Sequence, residues 1–322
     1  MLIFSTHSLD PSVTKDLESL GEYRVAKSPS AKDIFSDSLG ADIIIVRAPI
    51  DPEIIQREEN LRALVRHGAG LDMIPMDVAT QSGALVANVP GVNAVTVAEH
   101  AIWSALSLLR RNPEVSAQMR NCGWEDARKY SVSGRDLTGK TIGVVGFGNI
   151  GSQIARIARV GFNMKVVATT RTTSRLPTEI VAMPLNELLA ASDVVVLTCP
   201  LSAETRGLID ADAIIRMKPR SVLINVSRGP VVVEEPLVEA LKTGHLGGAA
   251  LDVFSTQPLP RDHPILELDN VILTPHMAGI TEESMRRMGE GVVTEVRRIV
   301  DGRMPLNFCN PEVEEAYRAR FL

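Results

Sequence analysis

Aromatic side chains make up only 4% of the 322 residues, and 34 Lys and Arg are outnumbered by 39 Asp and Glu. Neither ring stacking on bases nor a counterion-releasing basic stripe is therefore written into the composition, which sets nucleic acid aside as a partner. Cysteine is equally scarce. Cys122, Cys199 and Cys309 are odd in number, widely spaced and without metal-ligand spacing, so they read as reduced thiols of a cytoplasmic protein, and no metal is expected. No apolar run approaches the ~20 residues that span a bilayer. The start, Met1-Leu2-Ile3-Phe4-Ser5-Thr6-His7, lacks the basic stretch of a secretory leader and reads as a first strand. What remains is 45% apolar and 23% charged, an ordinary globular balance, in a chain longer than the roughly 250 to 300 residues at which one core stops growing. Two domains are the expectation.

Short β-branched runs alternate with helical patterns, the signature of βαβ units and parallel sheets. Early strands are expected at 2–5, 43–47, 63–66 and 85–87, and a later series at 141–145, 165–168, 194–198, 222–226, 248–251 and 271–273. The six later segments suffice for one doubly wound sheet. A helical stretch at 95–109 lies between the two series, followed by interruptions at Asn112-Pro113 and Gly123-Trp124. A second one, 282–300, carries Met285, Met288, Val292, Val296 and Ile299 at three- and four-residue spacing and ends at Asp301-Gly302. It can return the chain to the first domain. The expected organisation is a discontinuous domain, 1–98 with 283–322, into which 99–282 is inserted.

Strand-like 141–145 runs into Gly146-Phe147-Gly148-Asn149-Ile150-Gly151 and then into a helical pattern at 152–160. This is the context in which such a run binds a dinucleotide. The first glycine permits the turn, the second lets backbone approach a pyrophosphate, the third lets the helix pack closely, and the helix N-terminus supplies N–H groups and positive dipole. An acid at the end of the next strand would hydrogen-bond an adenosine ribose and mark NAD. Here Thr170, Arg171, Thr172, Ser174 and Arg175 follow that strand with no carboxylate. Hydroxyls and guanidiniums suit a 2′-phosphate, pointing to NADP, with NAD as the alternative.

Three further residues follow strands on the carboxyl edge, where ligands bind in such sheets. They are Arg228 in Asn225-Val226-Ser227-Arg228-Gly229-Pro230, Gln257 beyond Leu251-Asp252-Val253-Phe254, and His276 in Thr274-Pro275-His276-Met277. An Arg there can clamp a carboxylate in bidentate fashion, and a His can exchange protons near neutrality. Arg47, closing its strand, could touch an anionic substrate or form a surface pair. His100 and Glu99 read as packing.

These blocks, with His67-Gly68-Ala69-Gly70-Leu71-Asp72 and Thr96-Val97-Ala98-Glu99-His100, resemble the D-isomer-specific 2-hydroxyacid dehydrogenase family from the first strand to Asn307-Phe308-Cys309-Asn310-Pro311. The resemblance implies two doubly wound parallel-sheet domains, a Rossmann cofactor domain inserted into a flavodoxin-like substrate domain, and hydride transfer between NAD(P)H and a 2-oxo acid. Arg228 would hold the carboxylate and His276 would deliver the proton. Backbone N–H groups at Ala69 and Gly70 would complete carboxylate binding, and Asp252 would accept from the nicotinamide carboxamide. Thr96, Cys199, Pro200, Val226, Ser227, Ala278 and Gly279 would line the cofactor cleft. A homodimer through the cofactor domain is also implied.

One departure stands out. Most members pair the His with a Glu, 29 positions after the Arg and about 19 before the His; here that residue is Gln257. A neutral amide orients the ring but removes the charge that favours imidazolium. Formate dehydrogenases of the same superfamily use a Gln there, because formate oxidation transfers no proton, and are the first alternative. They are expected to carry an extended N-terminal segment ahead of the first strand. A nicotinamide-sensing corepressor with a weak site is the second. Pro258-Leu259-Pro260 and Asp262-His263-Pro264 resemble glyoxylate and hydroxypyruvate reductases, which makes those two acids the expected substrates.

Overall fold

The computed structural model describes residues 1–322, the side chain of Arg175 excepted. Contacts divide it into two compact units, Met1–Asn93 with Ile280–Leu322, and Ala94–Gly279. The expected boundaries at 98 and 282 lie a few residues beyond these.

The first unit holds five strands: β1 (Leu2–Ser5), β2 (Glu22–Val25), β3 (Ile43–Val46), β4 (Ala63–Arg66) and β5 (Leu85–Ala87). Their order is β2-β1-β3-β4-β5 and every pairing is parallel. Successive side chains alternate between faces. Phe4, Ile44, Val46, Leu64 and Val86 face Ile34, Ile54 and Ile55, while Ile3, Ile43, Ile45, Val65 and Leu85 face Val292, Val296 and Ile299 of the helix Glu282–Val300. Burial on both faces explains strands that read as unbroken apolar runs. Gly289 within that helix has a packing reason, since a Cβ there would lie 2.5 Å from a Val13 side-chain carbon.

The second unit holds β6 (Thr141–Val145), β7 (Lys165–Thr169), β8 (Val181–Ala182), β9 (Val194–Leu197), β10 (Val222–Asn225), β11 (Gly248–Leu251) and β12 (Val271–Leu273). The order is β12-β11-β10-β9-β6-β7-β8, again all parallel. Strand order reverses between β6 and β9, the crevice where such sheets bind ligands.

Two strands escaped the sequence reading. β8 has two residues, both exposed, and β2 is a polar edge strand without a buried face. The interruptions expected after residue 109 are instead helix boundaries: helices run Asn112–Asn121 and Trp124–Ser131, with Pro113 in the first turn, where its missing N–H costs nothing. Arg47, Thr198 and Val226 sit one residue past β3, β9 and β10, as the first loop residues on the carboxyl edge. No helix among the described residues is long and apolar enough to cross a membrane.

Candidate active site

The helix expected at 152–160 runs Asn149–Phe162, so it starts inside the glycine run, with Gly148 as its N-cap. Gly146 has φ 94°, and a Cβ on it would lie 2.7 Å from the Cα and N of Cys199. A Cβ on Gly151 would overlap the carbonyl oxygen of Gly146, whereas one on Gly148 would meet nothing. Two of the glycines thus close the turn against β9 and the helix, and the third leaves backbone open to a ligand. The turn is pinned by Gly146 N–H to Thr169 O (2.9 Å) and by Thr198 Oγ1 to Gly146 O (2.5 Å). The N–H groups of the helix's first turn, at Asn149, Ile150 and Gly151, have no acceptor within the helix, and with the positive dipole end they favour an anion there.

A cavity of about 440 Å³ opens from this turn. Gly146, Phe147 and Gly148 border it with Thr170, Arg171 and Thr172 on one side, and Cys199 and Pro200 on another. Ser174 is exposed, in the short helical turn Thr173–Arg175, and is not part of its lining; the Arg175 side chain lies outside the described residues. The cavity also takes in Ser202, Glu204 and Thr205, which the sequence reading missed. They follow β9, and β7 and β9 flank β6 in the sheet, so strand order, not sequence spacing, brings them opposite Arg171. A pyrophosphate at the turn and a ribose at Thr170–Thr172 fit these donors.

Arg228, Asp252 and His276 leave the adjacent strands β10, β11 and β12 at the same edge. The Arg228 loop is shaped by Asn225: its Oδ1 accepts from Ser227 N–H (3.0 Å) and Oγ (2.8 Å), and its Nδ2 donates to Arg228 O (3.0 Å). A Cβ on Gly229 would overlap the Phe254 backbone, so this loop packs directly on the segment that leads to Gln257.

Gln257 and His276 are brought together. Gln257 Nε2 donates to Phe254 O at 3.3 Å, which turns its Oε1 toward His276 Nδ1, also at 3.3 Å. An amide oxygen only accepts, so the proton in this contact is carried by Nδ1. The His276 backbone is left-handed, at φ 56°, a conformation non-glycine residues rarely hold. Asp252 holds it. The buried carboxylate accepts from Thr274 Oγ1 (2.6 Å), Met277 N–H (2.7 Å) and Ala278 N–H (2.9 Å), while His276 N–H donates to Asp252 O (2.8 Å). Three donors leave room for about one more on a carboxylate. Thr274 already donates, so His100 Nε2, 3.5 Å from its hydroxyl, is the donor there. His100 also packs against Trp103, with ring centroids 5.4 Å apart, and burial pushes its pKa down. Beside the pair, a cavity of about 520 Å³ is lined by Phe254, Pro258, Leu259, Gln257 and His276.

Thr96 is buried in the first turn of the helix Ala94–Leu109, Val226 and Ser227 are buried just after β10, and Gly279 closes the unit beside buried Ala278. In the first unit, Arg47 N–H donates to Thr6 Oγ1 and its Nη1 to Ser8 O, both at 2.9 Å. The carbonyls of Ala69 and Gly70 accept from Asn88 Nδ2 (2.7 Å) and Arg66 Nε (3.0 Å). His67 is buried beneath this loop, and burial, then the Arg47 and Arg66 charges, hold its pKa down at about 3.

A doubly wound parallel sheet with a glycine turn at a helix N-terminus defines a dinucleotide-binding domain, here with an Arg and a His on its carboxyl edge. The chain belongs to the D-isomer-specific 2-hydroxyacid dehydrogenase family, whose NAD-binding-domain model matches residues 102–278. It is 36% identical to a glyoxylate reductase of Korarchaeum cryptofilum over 88% of this chain and 87% of that one. The NADPH-dependent glyoxylate/hydroxypyruvate reductase of Sinorhizobium meliloti, solved with NADP and malonate, superposes with a TM-score of 0.84 at 28% identity, covering 97% of both chains. The NAD-dependent formate dehydrogenase of Staphylococcus aureus superposes at 0.83 and 30% identity, covering 94% of this chain and 96% of that one. Against D-3-phosphoglycerate dehydrogenases such as that of Methanocaldococcus jannaschii, the chain spans 59% of the relative's length.

Proposed function

We propose that this protein reduces a small 2-oxo acid, glyoxylate or hydroxypyruvate, to the D-2-hydroxy acid with NADPH. The observation that carries the reading is the placing of Arg228 and the Gln257–His276 pair on neighbouring strand ends of the sheet that bears the glycine turn. The nicotinamide, when bound, supplies the hydride. The chain's own part is to hold the pyrophosphate at 146–151, the 2′-phosphate at Thr170, Arg171 and Thr172, and the substrate carboxylate at Arg228. His276 Nε2 gives the proton to the oxygen that becomes the hydroxyl, while Gln257 fixes the ring. Asp252 keeps one acceptor position for the carboxamide.

Gln257 also favours a second reading, formate oxidation, in which His276 orients substrate and moves no proton. One panel separates them: NADPH and NADH, each against glyoxylate, hydroxypyruvate, pyruvate, phenylpyruvate and phosphohydroxypyruvate, with formate plus oxidised cofactor as the reverse arm. Turnover of formate alone sinks the reductase reading. Cofactor binding without any turnover favours a sensor. A wide preference for NADH refutes the assignment of Arg171 to a 2′-phosphate.

A further inference from the structure

We infer that Glu204 moderates the preference between the two nicotinamide dinucleotides, its carboxylate facing the adenosine end of the cofactor from the wall opposite Arg171. The inference rests on the proposed seat of that ribose at Thr170–Thr172. Both walls border one cavity, Thr170, Arg171 and Thr172 after β7 and Ser202, Glu204 and Thr205 after β9. The second wall is built, not loose. Thr205 Oγ1 donates to Pro200 O (2.7 Å) and accepts from Ser202 N–H (2.8 Å), Arg206 N–H donates to Ser202 O (3.0 Å), and Gly207 N–H to Pro230 O (2.8 Å). Within it Ser202 Oγ donates to Glu204 Oε2 at 2.6 Å. That hydroxyl, and further off the Arg171 charge, hold the carboxyl below its usual range, so it is ionised at neutral pH.

A fixed negative charge here acts oppositely on the two cofactors. It repels a 2′-phosphate and competes with it for Arg171. Toward an unphosphorylated ribose it offers the hydrogen-bond acceptor that the end of β7 lacks. Glu204 thus moderates the NADPH preference that Arg171 creates and lets NADH in. Two charges separated by several ångströms near water interact weakly, so removing one shifts the preference about three- to tenfold.

The test is Glu204→Gln, which keeps size and removes charge, with Glu204→Ala as a second variant and intact folding checked by melting. Kd for NADPH and for NADH is measured without substrate from the fluorescence of the bound nucleotide, and kcat/KM for each with one 2-oxo acid, both at low and high salt. The inference expects the NADPH/NADH ratio to rise about three- to tenfold in both variants, through the cofactor KM, and the rise to shrink at high salt. Arg171→Ala should move the same ratio the other way. A ratio unmoved by Glu204→Gln and Glu204→Ala, or an equal loss with both cofactors, overturns it. Wild-type preference for NADH would refute the NADPH reading alone, because the direction of the Glu204 shift is read from a ratio and does not depend on which cofactor the parent favours.

Discussion

In the proposed 2-oxo acid reduction, proton transfer turns on the Gln257 carboxamide. It reaches His276 Nδ1 at 3.3 Å and supplies orientation without charge. A carboxylate at the same distance would favour imidazolium. Gln257→Glu should therefore move the alkaline limb of the 2-oxo acid reduction profile to higher pH, by on the order of one unit, with acidic rates little changed. An unmoved profile would mean that proton donation does not limit the rate. His67 gives a second pH effect, in stability. Its folded pKa of about 3 lies below the ordinary 6.5, so between these values the unfolded chain takes up a proton that the folded one refuses. Stability from this group is complete above about pH 6.5 and is lost as pH falls toward 3, with a slope of up to about 1.4 kcal/mol per pH unit. Carboxylates titrate over part of the same window, so the measurement is a comparison. Denaturant midpoints of wild type and His67→Gln, taken from pH 7 to 4, should converge as pH falls. Parallel curves would count against it.

At the scale of elements, what was legible is what is local. β6, the glycine turn and the following helix are contiguous, and each glycine's role follows from one stretch of chain. Gly146→Ala should abolish tight dinucleotide binding, since it combines φ 94° with a Cβ 2.7 Å from the Cys199 backbone. Positive φ alone costs a residue with a side chain on the order of 1 kcal/mol, and the clash displaces the strand end that shapes the cavity. A cofactor KM raised less than tenfold would show that the turn adapts. The ends of β10 and β12 were readable for the same reason, because Arg228 and His276 sit in their own loops. Glu204 was not readable. It shares a cavity with Arg171 only through the order β9-β6-β7, which no spacing along the chain encodes. Nor was β2, whose Glu22-Tyr23-Arg24-Val25 lacks a buried face, or the grip of Asp252 on the His276 turn, which needs the register of β11 beside β12.

For the whole molecule, composition correctly bounded the class: 45% apolar residues fill two sheets, each covered on both faces. It said less about what the surface leaves over. Consecutive helices of the second unit carry Trp103, Met119 and Trp124, with Val132 after the last, at 47%, 46%, 62% and 89% exposure. In a chain with 4% aromatics, exposing both tryptophans costs apolar surface that monomers seldom leave in water, and Trp is the residue most often at the energetic centre of interfaces. The homodimer that the family resemblance implies would, if formed through these helices, cover that surface within the roughly 1,200–2,000 Å² of a stable interface. Light scattering should then give twice the 34.9 kDa chain mass at micromolar concentration, and Trp124→Arg should shift the equilibrium toward monomer by at least about tenfold, the effect of losing one anchoring side chain. A wild-type species at 34.9 kDa under those conditions would refute the dimer, and a dimer indifferent to Trp124→Arg would move its interface off these helices.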